Sequence, residues 1–261
     1  MKRVRPKKRF GQHFLKDQNI ARRIVDSLDP LGSCNTLIEV GPGMGILSQM
    51  LFERSDFQTF LIEIDKESVS YLKNHFPDWA SRIIEGDILA WDPGSITKRP
   101  CALIGNFPYN ISSQILFKVL EHHHHIDIIV GMLQKEVAER ISSAPGNRTY
   151  GILSVLLQAY YKVEYLFTVG PEAFSPKPKV SSAVVRLKRL PREPLGCDET
   201  LFKKIVKQGF QNRRKTLRNA LKPFNLPDHL RRLSVLDQRA EQLSVADYVL
   251  LTNKLTEHWK K

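Results

Sequence analysis

Cysteine is scarce in this chain. Cys34, Cys101 and Cys197 are its three, too few and too scattered for a disulfide framework or a zinc site. Inert thiols in a reducing compartment are expected, and no metal. No apolar run approaches the roughly 18 residues of a membrane-spanning helix. The basic start of the chain lacks the apolar stretch of a secretory signal. A soluble, cytoplasmic protein with no membrane partner is therefore expected. Acidic residues are also in deficit: 27 Asp and Glu stand against 40 Lys and Arg, a formal net charge of +13. Such a surface attracts polyanions through counterion release. Acidic membrane would be the competing partner, but no strongly amphipathic basic helix stands out. Internal repeats and low-complexity segments are absent too.

What is present is an ordinary globular composition, 42 % hydrophobic and 26 % charged over 261 residues. That suffices for one α/β domain and a small second one. Residues 1–9 hold Lys2, Arg3, Arg5, Lys7, Lys8 and Arg9, a run too charged to pack alone and expected to be a mobile basic tail. Phe10, Phe14 and Leu15 then mark where the chain docks. Asp17 is placed to cap a helix that carries Ile20, Ile24, Val25 and Leu28 on one face. From Thr36 to Lys188 short apolar runs alternate with helical spacing. The runs are Thr36–Val40, Thr59–Ile64, Ile83–Glu85, Cys101–Ile104, Ile126–Leu133 and Val180–Leu187. Several are apolar on both faces, as buried parallel strands are. The alternation predicts a doubly wound, mostly parallel sheet in residues 1–190, with ligands at the carboxyl ends of its strands. After Pro191, Pro194 and Gly196 the pattern changes to helices at about Asp198–Lys222, Pro227–Leu233 and Ser244–His258. Residues 191–261 are therefore expected to form a small all-helical domain. The interior run His122–His125 fits an exposed turn after a helix better than a metal site.

The segment Glu39-Val-Gly-Pro-Gly-Met-Gly45 follows an apolar strand and precedes a helix. Glycine there permits a sharp turn and a close approach of ligand to main chain, and the helix start offers N–H groups to an anion. A dinucleotide fingerprint would need a third glycine at position 46, which is Ile. The spacing of Gly41, Gly43 and Gly45 suits S-adenosylmethionine instead, with Glu39 placed to orient its aminoacyl end. The next strand ends Glu63-Ile64-Asp65. A carboxylate at that point can accept both hydroxyls of a ribose; Glu63 is the first choice and Asp65 the reserve. The third strand ends Glu85-Gly-Asp87-Ile88, where Asp87 can accept from an adenine amino group and the Ile88 N–H can meet a ring nitrogen.

After the fourth strand comes Asn106-Phe107-Pro108-Tyr109. An exocyclic amine on a base is planar, its lone pair delocalised into the ring. The Asn106 side-chain oxygen and a nearby backbone carbonyl can each accept one of its N–H groups, which aims the lone pair at a methyl group. Pro108 stiffens the loop and Tyr109 offers a face for stacking. Carbonyl dipoles and an aromatic face stabilise the positive charge that develops on the amine.

These motifs, with Arg9-Phe-Gly-Gln-His-Phe-Leu15, Gln134-Lys-Glu-Val-Ala-Glu-Arg140, Phe174-Ser-Pro-Lys-Pro-Lys-Val180 and Arg213-Arg-Lys-Thr-Leu-Arg218, resemble the ribosomal RNA adenine dimethyltransferase family over nearly the whole chain. The resemblance implies a Rossmann-like methyltransferase domain. It implies that Gln12, His13 and Leu15 line the cofactor site, that Glu63 and Ile64 flank the ribose, and that Asp87 and Ile88 hold the cofactor's adenine. Asn106 would orient the target amine, and Tyr109 with Phe174 opposite would sandwich the flipped base. His13 stands where the family often has Asn, and Phe107 where it often has Leu. Lys7, Lys8 and Arg9, and the cluster Arg213, Arg214, Lys215 and Arg218, can grip RNA phosphates.

The resemblance thus implies dimethylation of adjacent adenines in small-subunit ribosomal RNA, with immature small subunits as partner and a monomeric enzyme. The alternatives are a large-subunit adenine methyltransferase of the macrolide-resistance type, and an RNA-binding assembly or transcription factor on the same fold. A nicotinamide dehydrogenase is disfavoured by the glycine spacing.

Overall fold

The computed structural model describes residues 4–32, 34–191 and 194–259. It contains two compact units, Met1–Ala138 with Val163–Arg189 and Glu139–Lys162 with Leu190–Lys261. The sequence pattern suggested a single boundary after residue 190. The units instead interleave, because residues 139–162 pack with the C-terminal helices.

In chain order the elements are β1 (Phe14–Leu15), α1 (Gln18–Asp26), β2 (Thr36–Val40), α2 (Ser48–Phe52), β3 (Gln58–Glu63), α3 (Lys66–His75), β4 (Ile83–Glu85), β5 (Cys101–Asn106), α4 (Ser112–Glu121) and β6 (Ile126–Gln134). There follow α5 (Lys135–Ser142), α6 (Ile152–Gln158), β7 (Tyr161–Val169), β8 (Phe174–Ser175) and β9 (Ser182–Arg189). The last four helices are α7 (Glu199–Gln211), α8 (Leu217–Ala220), α9 (Asp228–Arg231) and α10 (Val245–Trp259).

Seven strands form one sheet in the order β4-β3-β2-β5-β6-β9-β7. The five strands β2 to β6 run parallel, and β9 is antiparallel to β6. This is the mostly parallel, doubly wound sheet expected from the alternating pattern. All five residues of β2 are buried, as a central parallel strand covered on both faces must be. From β2 the chain winds outward through β3 and β4, then returns to the other side of β2 as β5 and β6. The direction of winding therefore reverses between β2 and β5, and a cleft opens at their carboxyl ends.

The core on one face gathers Leu37, Ala102, Ile104 and Val130 of the sheet with Ala21, Ile24 and Val25 of α1. That helix starts where expected, because the Asp17 carboxylate accepts the N–H groups of Asn19 and Ile20 at 2.9 and 3.1 Å. A second cluster joins Phe52, Leu61, Val69, Leu72 and Ile83, with Phe52 stacked on Trp79 at 4.4 Å. Gly45, at φ +81°, lies under this cluster. A Cβ there would come within 2.7 Å of Phe76 and 3.0 Å of Leu72, so packing against α3 as well as the backbone angle requires glycine.

In the second unit α7 buries Phe202, Ile205 and Val206. The Phe202 and Phe210 rings lie 6.4 and 6.5 Å from Tyr248 of α10. The helix expected to run to Lys222 stops at Gln211, and Leu217 begins a separate short one. Between them Thr216 forms a bridge with Arg239.

A two-stranded ribbon, β1 with β8, pairs Leu15 with Phe174 and Phe14 with Ser175. Leu15 and Phe174 both enter the core, Phe174 with 1 % of its surface exposed. Truncating Phe174 to Ala should destabilise the protein by roughly 3–5 kcal/mol. Phe174→Leu, which keeps most of the buried volume, should cost far less. Chemical denaturation of the two variants measures the difference; equal, near-parental stability for both would show that the ring is no core anchor.

Candidate active site

At the carboxyl ends of β2, β3, β4 and β5 lies a cavity of about 230 Å³. Its floor is Gly41 and Gly43 of the turn after β2, and one wall is Glu63 and Ile64 at the end of β3. Asp87 and Ile88 follow β4, and the loop Asn106–Tyr109 follows β5. The segment Arg9–Phe14 covers it. Strand ends and turns predicted separately from the sequence thus meet around one space.

The acidic groups divide by burial. Glu63 turns its two oxygens toward the main chain, accepting the N–H of Gly43 at 3.1 Å and that of Asp65 at 2.9 Å. Burial raises its pKa above the ordinary carboxylate value, and these N–H groups partly offset the effect. The helix α2 begins only at Ser48, and the Gly43 N–H is already taken. The expectation of a helix start facing an anion is therefore corrected: at this turn the acceptor is the protein's own carboxylate. Asp65 caps α3 through the Glu67 N–H and meets Lys7 Nζ and Gln12 Nε2. It does not line the cavity, so of the two candidates only Glu63 does. Asp87 is exposed at the rim, and its Oδ1 accepts the Leu89 N–H at 2.9 Å.

Asn106, the last residue of β5, donates its side-chain N–H to the His13 carbonyl at 2.8 Å. That bond orients the amide and leaves its oxygen as a free acceptor. Phe107 is buried, packed against Gly105 and Gly131; a Cβ on Gly131 would lie 2.6 Å from its ring. Its main-chain N–H donates to Met132 at 3.1 Å, so the large side chain is an anchor for the loop. The Tyr109 ring lines the cavity, and its hydroxyl is hydrogen-bonded to Ser182 Oγ at the start of β9. The His13 ring centroid is 5.3 Å from that of Tyr109, and its Nδ1–H donates to the Pro176 carbonyl at 2.8 Å. Ser182, and the contact that the Pro176 carbonyl makes, escaped the sequence reading. No spacing rule links them to Tyr109 or His13, which are far away along the chain.

Several expected site residues lie elsewhere. Leu15 and Phe174 are core residues, and neither lines the cavity; Leu15 borders only a small adjoining recess. The expected sandwich of Tyr109 and Phe174 is thus not assembled: ladder pairing in β1–β8 directs Phe174 inward. Gly45 packs on α3 and is absent from the wall. Glu39, 1 % exposed, borders the same small recess, where the Ser48 hydroxyl donates to it at 2.6 Å.

Of the expected RNA contacts, Lys7 is paired with Asp65 and Glu67. It is no free cation, because the basic segment folds against α3. Arg9 sits over the Phe10 ring at 4.7 Å, and residues 8–10 form a short helical turn. The expectation of a mobile tail is thus not met for residues 7–9, while residues 1–3 and the Lys8 side chain lie outside the described residues. In the second unit Arg213 donates to the carbonyls of Arg148 and Tyr150. Arg218 holds Asp237 at 2.6 Å. Both are partly committed to structure, whereas Arg214 and Lys215 are exposed.

Burial pushes the Glu39 carboxyl up to about 8, with a bond from Ser48 opposing the shift and the neighbouring Glu63 reinforcing it. The folded form therefore holds this proton over a range in which the unfolded chain has lost it. Stability from this group is full below the unfolded value of 4.5 and is lost as pH rises toward about 8. Glu39→Gln, which is neutral throughout and can still accept from Ser48, should flatten that decline. Denaturant titrations at about pH 5 and about pH 8 test it; parallel slopes for parent and variant would mean that Glu39 titrates normally.

Comparison with known proteins agrees with this geometry. Residues 3–257 match the family described as ribosomal RNA adenine dimethylase. A relative from Cytophaga hutchinsonii, named ribosomal RNA small subunit methyltransferase A, is 53 % identical over 98 % of this chain and 99 % of its own. One of the same name from Parabacteroides distasonis is 53 % identical over 100 % and 98 %. Among solved structures, a dimethyladenosine transferase from Plasmodium falciparum superposes with a TM-score of 0.80 at 25 % identity, covering 94 % of this chain and 98 % of that one. The 23S rRNA methyltransferase ErmE gives 0.69 at 26 % identity, covering 92 % and 99 %. With a match from end to end and half its residues shared with curated relatives, the chain belongs to the ribosomal RNA adenine dimethylase family.

Proposed function

We propose that this protein dimethylates the exocyclic amino groups of adjacent adenines near the 3′ end of small-subunit ribosomal RNA, using S-adenosylmethionine, during ribosome biogenesis. The observation that carries the reading is the Asn106 amide, oriented by the His13 carbonyl at the strand end where the winding of the sheet reverses. The small-subunit assignment rests on relatives at 53 % identity that bear that name. The 23S enzyme ErmE is 26 % identical.

The cavity suits the cofactor. The exposed Ile64 and the buried Ile88 offer apolar contact for a flat base, Asp87 lies at the rim to accept its amino group, and Glu63 is available to ribose hydroxyls through its remaining lone pairs. When bound, S-adenosylmethionine supplies an electrophilic methyl group on a sulfonium. The target adenine leaves its stack to reach the strand ends, and Tyr109 receives one face. One amine N–H donates to Asn106 Oδ1 and the other to a carbonyl of the same loop. The nitrogen lone pair is thereby turned out of the ring plane toward the methyl group. Both acceptors stabilise the positive charge that grows on nitrogen, more so in the transition state than before it. The methylated amine then sheds a proton to water, so no strong base is needed.

Methyl transfer from labelled cofactor to undermethylated small subunits, free rRNA and large subunits, followed by nucleoside analysis, tests the reading; dimethyladenosine appearing only in large subunits would overturn it. Asn106→Ala should leave cofactor affinity within a few-fold and lower the single-turnover rate by about 100-fold or more. Retention of the parental rate would remove Asn106 from the chemistry. Charge reversal at Arg214 and Lys215 should weaken binding to the ribosomal substrate and reduce the log–log salt slope by roughly 1 per lost phosphate contact. An unaltered slope would take this cluster off the RNA.

A further inference from the structure

The segment Ser175–Ser182 joins the two-stranded ribbon to β9 and belongs to no expected site beyond Phe174. Its inner side is tied to the active-site loop twice. The Pro176 carbonyl accepts from His13 Nδ1, and Ser182 Oγ bonds the Tyr109 hydroxyl. His13 in turn holds Asn106. Its far end is fixed by the Lys135 N–H, which donates to the Ser181 carbonyl at 3.0 Å. Ser182 is fully buried, so its hydroxyl has no solvent role.

The outer side is different. Lys177, Lys179 and Val180 are exposed, while Pro178 between the two lysines is buried. Neither lysine has an ion-pair partner among the described residues, in contrast to Lys7, Arg54 and Arg186 of the same unit. The ladder pairs Phe14 with Ser175. Just beyond it the Pro176 carbonyl accepts from His13, a residue that lines the cavity, and Lys177 is the next residue along the chain. Two cations without an ion-pair partner among the described residues thus sit on a loop tied at both ends to the cavity-lining residues His13 and Tyr109.

We propose that Ser175–Ser182 is a two-sided substrate element. Lys177 and Lys179 take phosphates of the RNA that flank the target adenine, and Ser182 is a positioning residue that holds the Tyr109 ring for stacking. This rests on the methyltransferase reading above. The ligand of the outer side is RNA backbone, recognised by charge and without regard to base, as phosphate contacts are.

The test uses the full chain. Binding to a small-subunit rRNA fragment is measured against salt for Lys177→Glu/Lys179→Glu and for Lys98→Glu/Arg99→Glu. The second pair lies before the amino end of β5, at the end of the parallel strands opposite the cavity, and changes net charge equally. The first variant should bind about tenfold more weakly at low salt, with a log–log slope smaller by about 1.5, and should bind cofactor normally. An unaltered slope, or an equal loss in the control pair, would overturn the outer contact. Ser182→Ala should bind RNA and cofactor as the parent does, yet methylate on the order of tenfold more slowly at saturating RNA. Tyr109→Phe removes the same hydrogen bond, so the double variant should be no slower than the slower single one. A fully additive loss, or a parental rate for Ser182→Ala, would overturn the positioning role. Failure of the unsubstituted chain to methylate any small subunit would instead refute the function reading, since the salt-slope comparison needs no turnover.

Discussion

A hydrogen bond between residues 93 positions apart, from the Asn106 amide to the His13 carbonyl, holds together the parts on which the proposed chemistry depends. Asn106 ends a strand buried at the centre of the sheet, so its main chain has little freedom. Its side chain would still rotate, and a rotated amide would present a donor where an acceptor is needed. The His13 carbonyl prevents this, and is itself held because the next two residues enter the ladder with Phe174 and Ser175. The covering segment is therefore a component of the active site as well as a cover. A loosening of β1–β8 would be felt at Asn106 without any change in the sheet.

Most of the sheet was legible in the sequence because its central strands are buried on both faces and carry apolar residues at nearly every position. β7 was missed although its pattern is present. Tyr161, Val163, Tyr165, Phe167 and Val169 alternate with Lys162, Glu164 and Thr168, broken only by Leu166, but a search for runs apolar on both faces passes over such a half-buried strand. It lies at the edge of the sheet, where such mixed sequences are tolerated. The joining of residues 139–162 to the helical unit was illegible for another reason. An amphipathic helix announces that it has an apolar face, but not which partner covers it.

Within the site, glycine spacing, strand-end acids and the Asn106–Tyr109 motif led to Gly41, Gly43, Glu63, Asp87 and Asn106, all of which line the cavity. The errors share one cause. Glu39, Glu63 and Asp65 are all acids at strand ends, and Leu15 and Phe174 are both apolar residues in loop-like motifs. Sequence cannot say which way such side chains turn. In β1–β8 the alternation of the strand decides, sending Leu15 and Phe174 inward. Ser182 illustrates the converse, a small polar residue in an apolar strand whose role exists only because the fold brings Tyr109 to it.

The two buried glutamates suggest why this end of the sheet is built at some cost to stability. Burial makes ionisation of both Glu39 and Glu63 unfavourable, and no cation within the protein pairs with either among the described residues. A core optimised for folding would replace them with apolar or amide side chains. Glu63 repays part of its cost by fixing the Gly43 and Asp65 N–H groups, which shapes the turn beneath the cavity. Glu39 has only the Ser48 hydroxyl. Its carboxyl is consequently the group whose energy a cationic ligand would improve most. A positive charge brought to this strand end would favour the ionised forms that burial resists, and would do so most at Glu39.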